Sequence, residues 1–115
     1  MVAGLVDAKL AKLRAFVADR VLDFRPFIQD LEIAGGRQRF FVATAQAADW
    51  YHPFKEKNRR ELEWLVGNLD LAGQRIIDAG AFHGLYTTTF ARAAGADGIV
   101  IAVDPVASNC AVIEA

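Results

Sequence analysis

The spacing of apolar residues changes along this chain, and each change marks an element. From about Leu5 to Phe24, Val6, Leu10, Leu13, Val17, Val21 and Phe24 recur at intervals of three and four, the period of an amphipathic helix. Lys9, Lys12, Arg14, Asp19 and Asp23 fall mostly elsewhere on the wheel. Such a stripe ordinarily packs on a core, although a membrane-surface or partner-binding helix has the same form.

In "FIQDLEIAGGRQRFFVATA" the period shortens. Gly35–Gly36 separates Leu31 and Ile33 from Phe40, Phe41 and Val42, which predicts a hairpin turning at the two glycines. "ADWYHPFKEKNRRELEWLVGNLDLAGQ" reads as a loop followed by a helix. Pro53 suits its first turn, Phe54, Leu62, Leu65 and Leu69 form one face, and Gly73 follows its end. Lys55, Lys57, Arg59 and Arg60 are interleaved with Glu56, Glu61 and Glu63. That predicts a solvated face with i,i+4 pairing rather than a phosphate site.

From Arg75 onward the apolar runs become continuous. "RIIDA" and "GIVIAVD" (Gly98 to Asp104) each close on an acid. Unbroken apolar strands suit a parallel sheet covered on both faces. Leu85 to Ala94 has helix length and closes at Gly95, and Asp97–Gly98 signals a turn. The order is strand, glycine bend, helix, turn, strand: a βαβ unit, right-handed by the general rule. "SNCAVIEA" then opens a further helix, with Ser108 or Asn109 as its cap. There is no internal repeat and no low-complexity stretch.

Composition narrows the function classes. The chain has 115 residues, 54% of them hydrophobic, with a net charge of −1. There is no basic excess to draw it to nucleic acid or an anionic membrane. No run reaches the roughly 18 apolar residues of a membrane span. Charges interrupt the N-terminal stripe, so it lacks the form of a signal peptide. The single cysteine, Cys110, is expected to face the core of the last helix, and it favours a reducing, cytoplasmic setting. One Cys and two His leave no zinc spacing, and neither a nucleophile elbow nor a P-loop motif occurs. His83 lies within the glycine bend and invites a general-base reading. His52, beside aromatics, reads as packed.

The glycine bend carries the chemistry. In an open α/β sheet, ligands bind outside the carboxyl ends of the strands. Asp78 and the bend lie at one such end and Asp104 at the next, so both carboxylates are expected in one crevice. Asp104 follows Gly84 by 20 residues, close to the offset of a ribose-binding acid, whose carboxylate accepts from both hydroxyls. Between Gly80 and Gly84 stand Ala81, Phe82 and His83. The middle glycine of a pyrophosphate-binding fingerprint is missing, which argues against a dinucleotide and for a smaller zwitterionic group on a nucleoside. S-adenosylmethionine has that composition.

The stretch from about residue 72 to 115 resembles the start of a class I S-adenosylmethionine-dependent methyltransferase, and more narrowly the FkbM family. That family's signature runs D-x-G-A-N-x-G-x-Y-T, then G-x-V-x-A-[FV]-[ED]-P. Asp78, Gly80, Ala81, Gly84, Tyr86 and Thr87 match the first part; Gly98, Val100, Ala102, Val103, Asp104 and Pro105 match the second. Phe82 stands where the family has asparagine, so one polar contact of the loop is lost. The preceding hairpin and helix are loosely similar to the family's.

The resemblance implies a Rossmann-like α/β fold, with only the first βαβ unit present, preceded by an N-terminal helix and a β-hairpin. Residues 1–50 would form the helix and hairpin, and residues 51–115 the start of the S-adenosylmethionine-binding domain. Gly80, Ala81, Phe82 and Gly84 would shape the loop around the methionine end. Asp78 would order it, and Asp104 would hold the ribose hydroxyls. Tyr86 and Thr87 would contact the methionyl carboxylate, with packing and capping as their plain structural alternative. The reaction implied is O-methylation of a hydroxyl on a sugar or secondary metabolite. The family's sheet is much larger than the strands recognisable here, so this chain reads as a front fragment, inactive alone. Two other functions compete with this one: a non-catalytic remnant or interaction module using the amphipathic helix and an unfinished sheet edge, and an NAD-dependent oxidoreductase.

Overall fold

A computed structural model describes residues 7–14, 17, 24–51 and 56–115. Residues 7–14 and 17 are helical. Phe24, expected to close the helix, is not helical and packs against the core instead; Val6 and Val21 of the same stripe, and His52, Pro53, Phe54 and Lys55, lie outside the described residues. Leu10, Leu13 and Val17 are 43%, 58% and 42% exposed, so the stripe is not buried at those positions. Its period records amphipathicity, not what covers it.

The hairpin forms as strands β1 (Phe27–Ile33) and β2 (Gly36–Val42), antiparallel from Phe27↔Val42 to Ile33↔Gly36. Leu31, Ile33, Gln38, Phe40 and Val42 are buried while Asp30, Glu32, Arg37 and Arg39 are exposed, the alternation of a one-sided sheet. The turn sits one residue earlier than the paired glycines suggest. Ala34 and Gly35 occupy it with φ of 49° and 72°, both positive as a tight two-residue hairpin turn requires. Gly36 instead belongs to the strand. A Cβ there would strike the Arg92 guanidinium, which donates to the Ile33 carbonyl at 2.5 Å.

Helix α1 (Ala45–Tyr51) occupies a segment whose sequence reads as loop. It has only two turns and no clear apolar period, so pattern alone does not reveal it. Its N-terminus is held by the Thr44 hydroxyl, which accepts from the Ala47 N–H at 3.1 Å. Helix α2 (Glu56–Asn68) buries Leu62 completely. On its outer face Arg59 pairs with Glu56 at 2.6 Å and Glu63 at 3.4 Å, and Arg60 with Glu56 at 2.7 Å, the pairing expected from the interleaved charges.

The second half is β3 (Arg75–Ala79), α3 (Leu85–Ala94), β4 (Ile99–Val103) and α4 (Ala107–Glu114). β3 and β4 pair in parallel, from Arg75↔Ile99 to Ala79↔Val103. α3 is the middle layer. On one side it meets the hairpin, where the Gln38 amide donates to Thr89 Oγ1 at 3.0 Å. On the other it covers the parallel pair. Leu85 joins Ile33, Phe40, Tyr51 and Leu62 in one core, so that core draws on residues before and after position 50. The molecule is mixed α/β, with two small sheets.

The far face of the parallel pair is open: Ile77, Ile99, Ile101 and Val103 are 71%, 52%, 54% and 50% exposed. Unbroken apolar strands predict cover on both faces; among the described residues only α3 supplies it, on one. α4 also differs from expectation at its start. Its N-cap position is Val106, not Ser108 or Asn109. Ser108 and Asn109 lie inside the first turn because the Asp104 carboxylate reaches the Val106 N–H at 2.9 Å. No described helix is long and apolar enough to cross a membrane.

Candidate functional site

The glycine bend folds back over the end of β4. The N–H groups of Gly80 and Ala81 both donate to the Val103 carbonyl, at 2.8 and 3.2 Å. Gly80 has φ 78°, and a Cβ there would meet nothing within 4 Å. It therefore supplies a left-handed turn with open space beside it. Gly84 has a different task. A Cβ there would lie 3.2 Å from Ile113 Cγ1, so its bareness lets α4 approach the start of α3. Between them Ala81 is buried and Phe82 takes φ 50°, a conformation asparagine tolerates better than phenylalanine.

Asp104 works as a clasp. One carboxylate oxygen accepts from the Phe82 N–H at 2.9 Å. The other accepts from the Val106 N–H and from the Asn109 side-chain amide, both at 2.9 Å. The loop after β3 and the start of α4 are thus tied through one side chain. These donors, the Val106 N–H foremost, hold the Asp104 carboxyl below its ordinary 3.8. A carboxylate has about four acceptor sites, so about one remains for a ligand hydroxyl; a second contact needs the Asn109 amide to turn away.

Asp78 accepts from the Thr87 hydroxyl at 2.5 Å, fixing β3 to the first turn of α3. Tyr86 reaches away from the bend and donates to Glu61 at 3.0 Å. Partial burial, with the Glu61 bond adding to it, pushes its phenol up to about 12. Burial pushes the Tyr51 hydroxyl well above the ordinary phenol range, opposed by a backbone hydrogen bond at His83 and helped in smaller measure by the charges of Asp78 and Asp104. The bend thus unites Gly80, Ala81, Phe82 and Asp104. Asp78 and Thr87 form a separate tie beneath it, and Tyr86 belongs to the contact with α2.

An aromatic cluster roofs the bend, and the sequence reading did not identify it as part of the site. The Phe82 ring stacks on the His83 imidazole at 4.0 Å with 5° between planes. Trp50 and Tyr51 from α1 approach Phe82 at 5.1 and 5.9 Å. The signal was the aromatic pair in "DWYHPF", which pattern alone could not connect to a loop some thirty residues on. His83 is buried in this stack, a placement that gives it packing rather than solvent access. Cys110 is half-buried, its thiol 3.5 Å from the Asp104 carbonyl, not in the core.

A cleft of about 500 Å³ opens here, walled by Lys12, Trp50, Phe82, His83, Val106 and Asn109 among others. It lies where the two parallel strands end and is of a size that holds a small ligand. A smaller cavity of about 330 Å³ lies between the hairpin turn and α2, with Arg37 and Arg59 on its wall; both already pair with carboxylates. Among the described residues no three of His, Cys, Asp and Glu gather to hold a metal ion. No family model, no curated protein and no solved structure matches this chain.

Proposed function

We propose that the cleft binds S-adenosylmethionine and that the chain serves methyl transfer to a hydroxyl of a sugar or secondary metabolite, in a cytoplasmic setting. One observation supports this above the rest: a positive-φ Gly80 with open space beside it lies at the carboxyl end of one of two parallel strands, and Phe82 and His83 of the same bend wall a cleft of about 500 Å³. A nucleoside cofactor without a pyrophosphate suits a bend that lacks the middle glycine. The resemblance to FkbM methyltransferases at Asp78, Gly80, Ala81, Gly84 and Asp104 adds the cofactor's identity.

In this reading the Gly80–Ala81 backbone lies along the methionine end. Asp104 accepts from one ribose hydroxyl directly, and Val106 borders the nucleobase. When bound, the cofactor supplies an electrophilic methyl on sulfur. The chain's part is alignment and exclusion of water. Asp78 and Thr87 hold the loop's foundation rather than the ligand.

Calorimetry with S-adenosylhomocysteine and NAD offered separately tests the proposal. Binding of the homocysteine nucleoside, weakened at least tenfold by Asp104→Ala, is expected. Preference for NAD would overturn it. A second reading, an interaction module, draws on the open apolar face of Ile77, Ile99, Ile101 and Val103, since exposed patches of this kind mark contact surfaces. Failure to bind either nucleoside would favour that reading.

A further inference from the structure

Trp50 is the aromatic side chain that the cleft leaves open. α1 buries Ala47 and Tyr51, one turn apart, against the hairpin core, and this directs the helix's other flank toward the bend. There the Trp50 ring lies 5.1 Å from Phe82. The Phe82 ring is itself stacked on His83 and approached by Tyr51, so part of its surface is already taken. Trp50 keeps 38% of its surface exposed on the wall of the cleft. A second observation is independent of burial. Phe82 holds φ 50°, a strained conformation for a bulky residue, and such outliers cluster at ligand sites. The strain presents the ring that backs Trp50.

We propose that Trp50 is a specificity residue, which makes the cleft prefer a cationic ligand by offering an indole face to the sulfonium of S-adenosylmethionine. The inference rests on the cofactor reading above and extends it. Trp50 packs against Phe82 of the loop after β3, the loop assigned to the methionine end. Tryptophan is the strongest of the aromatic rings for attracting a cation. The neutral thioether of S-adenosylhomocysteine lacks that attraction while keeping every other group except the methyl. Lys12 also borders the cleft but is exposed, so solvent and salt screen its opposing charge.

The test is calorimetric titration of the full chain and of Trp50→Leu and Trp50→Phe with both ligands. Wild type should bind S-adenosylmethionine more tightly than S-adenosylhomocysteine. Trp50→Leu should lower that ratio by about 3- to 30-fold, the range a cation–π contact spans between exposed and desolvated settings. It should do so by weakening the charged ligand alone, and Trp50→Phe should retain part of the preference. Equal weakening of both ligands by Trp50→Leu would overturn the inference, making Trp50 a packing or base-stacking residue while the cofactor reading stands. Loss of binding to both ligands in wild type would overturn the two together.

Discussion

The hairpin and the parallel pair are both two-stranded sheets, and α3 lies between them, yet they are held by different physics. The hairpin turns one face into a core where Ile33, Val42, Leu62 and Leu85 are fully buried, and leaves the pair Ile28 and Phe41 exposed on the other. The parallel pair exposes half its apolar side chains on an open face, and the end that carries the candidate site is held by hydrogen bonds through Asp104 and Asp78. Stability is concentrated on one side of α3, and the candidate ligand site on the other. The largest expected difference follows from this. Leu62→Ala should cost about 2–5 kcal/mol in urea denaturation, the usual range for emptying a packed site. Ile77→Thr, at 71% exposure, should stay within about 0.5 kcal/mol. Comparable losses from both would mean that the parallel pair's open face is covered in solution.

Glycines sharpen the same contrast at intermediate size. A Cβ on Gly98 would lie 2.5 Å from Ala94 Cβ and 2.9 Å from the Ala94 carbonyl oxygen. Backbone cannot swing aside, so Gly98→Ala should destabilise by about 1–3 kcal/mol, as overpacking does. Gly80→Ala meets no atom and should cost about 1 kcal/mol from its positive φ alone. Its main effect should be on ligand affinity, because the methyl fills the space assigned to the cofactor. Thermal melts with and without S-adenosylhomocysteine separate the two. Unchanged affinity in Gly80→Ala would remove the ligand from that space.

The sequence was most legible where one local rule acted. β3 and α3 begin and end where the apolar runs and glycines say they do, and the α2 charges pair as their spacing predicts. α1 escaped because two turns of alanine-rich chain carry no period. The hairpin turn slipped by one residue because Ala34 takes the first left-handed position beside Gly35, leaving Gly36 to pair with Ile33 in the strand. The site was legible only in part. Gly80 and Asp104 stand out by motif, but that Asp104 clasps the Phe82 N–H, or that Trp50 roofs the bend, depends on tertiary contacts no spacing encodes.

Phe82 allows a finer test, because two opposing effects meet there. Asparagine would relieve about 1 kcal/mol of strain at φ 50°. It would also forfeit the ring's contacts with Trp50, Tyr51 and His83. Burying a phenylalanine side chain stabilises by about 1.5–3 kcal/mol, reduced here because the ring is only half-buried. Pairing of the ring with its aromatic neighbours adds about 0.5–1.5 kcal/mol, so packing wins and Phe82→Asn should lower stability by about 1 kcal/mol. A stabilised variant would show that the aromatic cluster contributes less than the backbone strain.

The smallest effect expected is in acid, and it reads the clasp directly. Asp104 is held below its ordinary 3.8 chiefly by the Val106 N–H, then by the Phe82 N–H, the Asn109 amide and the nearby His83. A carboxyl whose folded pKa is depressed stabilises the fold above its unfolded pKa. That contribution fades as pH falls below 3.8 toward the folded value. Asp30 and Glu56 are also held low, by Arg37 and by Arg59 with Arg60, so the acid limb of wild type alone is not specific. The difference from Asp104→Asn is. Asparagine presents an amide N–H to at least one of the donors now facing a carboxylate, so the variant should melt lower near neutrality. The gap should narrow as pH drops through the region below 3.8, where wild-type Asp104 takes up its proton and loses the same bonds. A gap that stays constant into acid would mean that the loop after β3 and the start of α4 are held by packing, as the hairpin is, and that Asp104 is free to serve a ligand with its whole carboxylate.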